Sequence, residues 1–373
     1  MKGISAGEGV FVFAGGGTGG HIYPGLAVAE RLRAPGTRIL WFGSSGGMDR
    51  TLVEKSGLTD GFYGIPSGKL RRYFSLRIIP DCVKIIAGLI KSIALLSRIK
   101  PRALFSKGGY VSVPPCLGAK ILGIPVYTHE CDLSPGLATR LNARWAARIF
   151  VSYPKTADFF PPSRRSRVMV TGNPVRKEFY TASPPRGRAF LGLGEPSAGD
   201  KPLLLVLGGS SGSRQINHLV RETLPWLTEH FTVVHQTGAG EDAPPETPSG
   251  AGYRPYPFIY AEMPDVIAAA DVVLARAGAN TLSECAVCGK PLVLVPLSGA
   301  GTRGDQVENA AFFADQGAAL VIDGRTASPE DLAAAMETML DPAAREGFSK
   351  RVRALLPQIP AADMIARIIK EDL

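Results

Sequence analysis

Cysteine is scarce in this 373-residue chain, and the five present (Cys82, Cys116, Cys131, Cys285, Cys288) are odd in number and widely scattered. They do not form a disulfide framework, and a chain this long buries enough core without one; a reduced, cytosolic setting is expected. No run of about 20 apolar residues, the length of a membrane-spanning helix, is present. The nearest stretch, residues 83–99, is interrupted by Lys84, Lys91 and Arg98. Polar residues 1–9 lead straight into a strand-like run, so no signal peptide is expected. The 43 glycines and 30 prolines follow no collagen period and gather in no low-complexity tract. Fibrous and disordered classes are thereby excluded, and the glycines are left to turns and loops. At about 150 residues per domain, two to three domains are expected.

Acidic residues are scarce in one half only. Residues 1–180 hold 26 Lys and Arg against 10 Asp and Glu, whereas residues 181–373 hold 16 against 23. The net charge of +9 is densest over residues 69–107, where ten cations meet one acid, Asp81. Lys84, Lys91 and Arg98 are seven residues apart, so on a helix they drift by only about 20° per heptad and form one narrow stripe. Ile85, Ile86, Leu89, Ile90, Ile93, Leu95, Leu96 and Ile99 fill most of the remaining surface, and Tyr73, Phe74, Leu76, Ile78 and Ile79 interleave the approach. That mixture suits a segment lying on an anionic bilayer rather than a nucleic-acid surface. A buried helix with one solvated face is the alternative.

The chain repeats one theme. Val10–Ala14 is a β-prone run followed by Gly15-Gly16-Gly17-Thr18-Gly19-Gly20-His21 and a helical pattern over Gly25–Leu32. Leu203–Leu207 is followed by Gly208-Gly209-Ser210-Ser211-Gly212-Ser213 and a helical pattern over Gln215–Leu227. Further strand-like runs at Arg38–Phe42, Ala103–Phe105, Pro125–Thr128, Ile149–Val151, Thr232–Val234, Val272–Leu274 and Leu292–Val295 alternate with helical stretches. Such alternation predicts parallel sheets covered on both faces, in two Rossmann-like α/β domains facing a cleft. The boundaries read as 1–176 and 177–352, with a terminal helical stretch over 353–373.

Each glycine turn falls where a strand meets a helix N-terminus, a setting that favours phosphate. Gly15, Gly17 and Gly20 also satisfy the dinucleotide pattern G-x-G-x-x-G. The ribose-binding acid about 20 residues on is missing, because Ile39–Phe42 runs into Gly43-Ser44-Ser45, so a dehydrogenase is disfavoured. Taken jointly, Gly16–His21, Gly108-Gly109-Tyr110-Val111-Ser112, His129-Glu130, Gly172-Asn173-Pro174-Val175-Arg176, Gly208-Gly209-Ser210, Arg276-Ala277-Gly278-Ala279 with Thr281 and Glu284, and Asp305-Gln306 with Asn309-Ala310 resemble the MurG glycosyltransferases, in order, over about residues 10–325.

That resemblance implies a two-domain fold of the GT-B type, with an acceptor- and membrane-docking domain over 1–176, a UDP-sugar-binding domain over 177–352 and a C-terminal helix over 353–373 that returns to the first domain. It also implies inverting transfer of N-acetylglucosamine from UDP to the 4-hydroxyl of undecaprenyl-diphospho-muramoyl pentapeptide. The work would be done peripherally on the cytoplasmic face of the bacterial membrane, beside other cell-wall synthesis proteins. In the matching positions the donor set is Thr18, Gly19, Gly20, Arg176, Ser210, Tyr260, Ala279, Asn280, Thr281, Leu282, Glu284 and Gln306. Arg176 would hold the diphosphate, the backbone around Tyr260 the uracil, Glu284 the ribose and Gln306 the hexose. Thr281 and Glu284 also have the spacing of a helix N-cap and its reciprocal acid, so Glu284 reads either as ribose ligand or as cap.

An inverting transfer needs one base for the acceptor hydroxyl; His21 is the first candidate and Glu130 its rival. The chain has no Asp-x-Asp, so no metal or other cofactor is expected, and N–H groups with Arg176 would steady the leaving UDP. Asp132 stands where many members of the family carry an amide, and Asp305 where His or Gln is common. Cys285 and Cys288 have C-x-x-C spacing without a second pair, which predicts packing. A diacylglycerol glycosyltransferase and a catalytically silent scaffold of the same fold are the alternatives.

Overall fold

A computed structural model describes residues 9–46, 49–68, 78–209, 212–238, 252–299 and 302–373, with 78–80 as backbone only. The chain divides into two compact units, Met1–Arg176 with Pro357–Leu373 and Lys177–Leu356. Each is a parallel α/β sheet.

In the first unit, β1 (Val10–Gly15), β2 (Arg38–Ser44), β3 (Gly61–Ile65), β4 (Ala103–Gly108), β5 (Val126–Glu130), β6 (Arg148–Val151) and β7 (Val168–Val170) lie in the order β3-β2-β1-β4-β5-β6-β7. Every pairing is parallel. The strands inside the sheet are buried on both faces, which explains why β1 and β4 read as near-continuous apolar runs. Phe13 stacks on Trp41, with ring centroids 5.7 Å apart. The last helix, Ala361–Glu371, completes this core by burying Ile365, Ala366 and Ile369 against the helix Tyr23–Leu32 side of the sheet. It is tied there by Arg31 to Asp363 at 2.9 Å and by Arg148 to Asp372. The sequence reads as helical from 353, but Arg353 and Ala354 end a preceding helix, Pro342–Ala354, and the new one starts after Pro360. The prolines Pro357 and Pro360 lack the N–H a continuous helix needs.

In the second unit, β8 (Leu203–Leu207), β9 (Thr232–Gln236), β10 (Tyr253–Tyr256), β11 (Val272–Ala275), β12 (Leu292–Leu294) and β13 (Ala319–Val321) lie in the order β10-β9-β8-β11-β12-β13. The helix Arg214–His230 covers one face through Ile216, Leu219, Val220 and Leu227. In both units the chain reverses direction across the sheet beside the first strand, between β1 and β4 and between β8 and β11. Crevices at such switch points, outside the carboxyl ends of the strands, are where open α/β sheets bind ligands.

The basic helix spans Ile78–Ile99. It packs on the helix Val113–Ile121 with Gly88, Ser92 and Leu96 buried. Val83 (61% exposed), Ile86 (59%) and Ile90 (64%) face outward with Lys84, Lys91 and Arg98. A buried helix showing only its cations to water is therefore not what forms. Residues 69–77, including Tyr73, Phe74 and Leu76, lie outside the described residues. Among the described residues, no helix is long and apolar enough to cross a membrane.

Candidate active site

The first glycine turn is anchored from beneath by side chains that the sequence reading passed over. Asp49, buried just past β2, accepts from Gly17 N at 2.9 Å and from Ser44 N at 2.8 Å. Trp41 Nε1 donates to Gly15 O at 2.9 Å. A side chain at Gly16 would collide with the Asp49 carboxylate, and Gly17 has φ +90°, so these two glycines are required by close approach and by backbone conformation. The turn ends in a short 3-10 segment, Gly19–His21. His21 Nδ1 lies 3.0 Å from Thr18 Oγ1, and the ring packs against the second turn at Gly108 and Gly109. A carboxylate soon after β2 in an acid-poor half was the signal for Asp49.

Glu130, at the end of β5, is buried and faces its own loop. Its Oε1 accepts from Cys131 N and Asp132 N at 3.0 and 3.2 Å, and Oε2 accepts from Gly136 N at 2.9 Å. Both oxygens are thus committed to holding the loop that follows β5. His129 is fully buried, with Nε2 2.9 Å from Gly172 O. Burial first, and the Lys107 charge second, hold its pKa well below the ordinary imidazole range, so it is neutral and links β5 to the Gly172-Asn173-Pro174 segment. Arg176 ends the first segment of this unit with its guanidinium 5.0 Å above the Tyr23 ring.

In the second unit the described ends of the glycine turn after β8 are equally tight. Gly209 has φ +88°, a Cβ on Gly212 would lie 2.6 Å from Thr237 O, and Ser213 caps the helix Arg214–His230 through Ile216 N. Ser210 lies outside the described residues. Behind the turn, buried His235 bridges Tyr253 Oη at 3.0 Å and Asn217 Oδ1 at 3.1 Å, while Asn217 Nδ2 donates to Thr237 O. Gln236 Oε1 accepts from Ile259 N at 3.0 Å, fixing the loop on which Tyr260 stands 73% exposed.

The helix Ala279–Cys288 begins at Gly278, which is extended at φ −71° and ψ 132°. Ala279, Asn280, Thr281 and Leu282 thus form the first helical turn, and Thr281, expected as the N-cap, lies inside it. The capping-box reading of Glu284 falls with it, since the helix starts three residues before that spacing requires. Asn309, fully buried, donates to Ala277 O at 3.1 Å and so fixes the approach to this helix. Gln306 Oε1 accepts from Leu297 N at 3.0 Å, and Asp305 lies 3.4 Å from Arg303 in the first turn of the helix Asp305–Asp315. Cys285 and Cys288 are buried free thiols within their helix.

Residues 11–151 match the glycosyltransferase family 28 N-terminal domain, and residues 203–358 match the family 28 C-terminal domain. The chain belongs to glycosyltransferase family 28. Among its relatives is the UDP-N-acetylglucosamine–N-acetylmuramyl-(pentapeptide) pyrophosphoryl-undecaprenol N-acetylglucosamine transferase of Treponema denticola, 51% identical over 86% of this chain and 85% of the relative. The protein of the same name from Treponema pallidum (strain Nichols) is 47% identical over 89% and 87%. A crystal structure of Acinetobacter baumannii MurG aligns with a TM-score of 0.76 at 26% identity, covering 98% of this chain and 99% of that one. The family 28 chain described here thus carries a glycine turn at the switch point of each sheet, His21 at the first and Glu284 on the helix flanking the second.

Proposed function

We infer that this protein transfers N-acetylglucosamine from UDP to the 4-hydroxyl of undecaprenyl-diphospho-muramoyl pentapeptide, with inversion. The observation that carries this reading is the 51% identity, over most of both chains, to a transferase named for that reaction. The two-sheet architecture supplies the parts. In the second unit, the turn after β8 and the start of the helix Ala279–Cys288 present backbone N–H groups to the diphosphate. Glu284 accepts from the ribose hydroxyls, and Gln306 donates to and accepts from the hexose. The backbone beside Tyr260 reads the uracil, and the Arg176 fork steadies charge on the leaving UDP.

In the first unit His21 is assigned as the base. In its working tautomer Nδ1–H donates to Thr18 Oγ1, and Nε2 takes the proton as the acceptor oxygen attacks the anomeric carbon. Glu130 is assigned to hold the loop after β5, its oxygens being occupied by three N–H groups. The outward Val83, Ile86 and Ile90 beside Lys84, Lys91 and Arg98 support seating on an anionic membrane face, where the lipid-linked acceptor resides.

Incubating the protein with labelled UDP-N-acetylglucosamine and the purified lipid-linked muramoyl pentapeptide tests the reaction: label should move to the lipid fraction. Absence of transfer while UDP binds would sink the reading. Replacing Lys84, Lys91 and Arg98 together by Gln should weaken adhesion to anionic vesicles by about 1 kcal/mol per charge. Unchanged sedimentation with those vesicles would remove this stripe as the contact.

A further inference from the structure

The carboxyl ends of β8, β11, β12 and β13 stand side by side in the second sheet, and two side chains, Gln215 and Arg276, tie all four together. Gln215 is the second residue of the helix Arg214–His230, whose N-cap Ser213 closes the glycine turn after β8. Its Nε2 donates to Gly324 O at 2.7 Å, just past β13. Its Oε1 accepts from Arg276 Nη1 at 2.9 Å, directly after β11. The same Nη1 donates to Val295 O at 2.8 Å, directly after β12. The segments after β12 and β13 also touch, since a Cβ at Gly324 would collide with Pro296 O. An amide suits position 215 because it accepts from the guanidinium and donates to the carbonyl at once. A carboxylate only accepts, and an apolar side chain does neither.

The two ends of this brace carry different parts of the donor inferred above. One end is the turn after β8, assigned to the diphosphate. The other is the segment from Val295 to Leu297, and Leu297 N donates to Gln306 Oε1 at 3.0 Å. Gln306 is assigned to the hexose, so its amide is held by the loop that the brace fixes. The path from Gln215 to Gln306 runs through Arg276, Val295 and Leu297.

We propose that Gln215 is a positioning residue for the hexose of the nucleotide sugar. With Arg276 it sets the spacing between the turn that takes the diphosphate and the loop that presents Gln306. This rests on the donor roles inferred above and adds the residue that holds two of them in register. UDP has no hexose and engages one end of the brace, so a selective loss is expected rather than a general one.

Gln215→Met keeps the length of the side chain and removes both hydrogen bonds. Calorimetry on the full chain should show the Kd for UDP-N-acetylglucosamine raised about tenfold, with the Kd for UDP changed less than about twofold. Gln306→Ala should show the same selectivity, and adding Gln215→Met to it should cost little more, because both act on one interaction. Gln215→Glu keeps the acceptor for Arg276 and loses the donor to Gly324 O, so its selective loss should be about threefold; it carries the test if Gln215→Met does not fold. Equal weakening of UDP and the sugar nucleotide would overturn the proposal, being the mark of a glutamine that only holds the fold. So would two selective single variants whose losses multiply when combined. If Gln306→Ala is selective and the Gln215 variants are not, the proposal falls and the donor reading stands. If Gln215→Met is selective and Gln306→Ala is not, the hexose brace stands and Gln306 loses its assigned role. Unaltered affinity for both ligands in every variant would overturn both.

Discussion

The two sheets share one plan and are furnished differently. Each has a glycine turn after its first strand and a cation at or just past the carboxyl end of the strand across the switch point. In the second unit the cation, Arg276, is bonded twice, and His235 and Asn217 brace the back of the turn. In the first unit the turn is braced by Asp49 and Trp41, while buried Lys107 meets the Cys131 thiol and His21 stands at the turn's end. The charge balance differs in the same sense, with 26 cations against 10 acids in residues 1–180 and 16 against 23 in residues 181–373. Under the function proposed above, a soluble nucleotide needs a few local donors, whereas a lipid diphosphate at an anionic surface calls for charge on a larger scale.

The largest expected effect separates chemistry from donor binding. His21→Ala should lower turnover by about 100-fold or more and leave UDP affinity intact, measured by single-turnover kinetics and calorimetry on the same preparation. Near-normal turnover would remove His21 as the base and blur the contrast between the turns.

Next in size is Asp49→Ala, which strands the N–H groups of Gly17 and Ser44. A loss of about 2–4 kcal/mol is expected in the urea transition that UDP does not shift, with the UDP-shifted transition unmoved. Equal loss in both transitions would mean the turns are not braced separately.

Acidification probes the second unit. Burial, with a further contribution from Arg221, lowers His235 from 6.5 to about 4, so the folded state disfavours its protonation. Stability from this group is fully present above pH 6.5 and is lost as pH falls towards 4, worth about 3 kcal/mol in all. His235→Gln should flatten that pH dependence in the UDP-shifted transition. An unaltered slope would show that His235 is not the titrating group.

Nine strands were legible in the sequence, and the four that were not, β3, β7, β10 and β13, are the four sheet edges. Interior strands are covered on both faces and read as unbroken apolar runs. Edges such as Val168–Val170 and Ala319–Val321 are short and half-exposed, so their patterns dissolve into loops. The glycine turns were legible because close approach leaves no other residue type. Their supports were not: Asp49 lies 32 positions from Gly17, and no local spacing links them. The start of the helix Ala279–Cys288 was misplaced because Thr281 and Glu284 imitate a capping box, whereas extended Gly278 begins the helix without a side-chain cap.

The central claim is a division of labour between the sheets, and steady-state kinetics of Glu284→Gln with both substrates varied tests it most directly. The account predicts a KM for UDP-N-acetylglucosamine raised about tenfold, the loss of one charged hydrogen bond to the ribose, with the acceptor KM unchanged. An unaltered donor KM, or a rise confined to the acceptor, would contradict it.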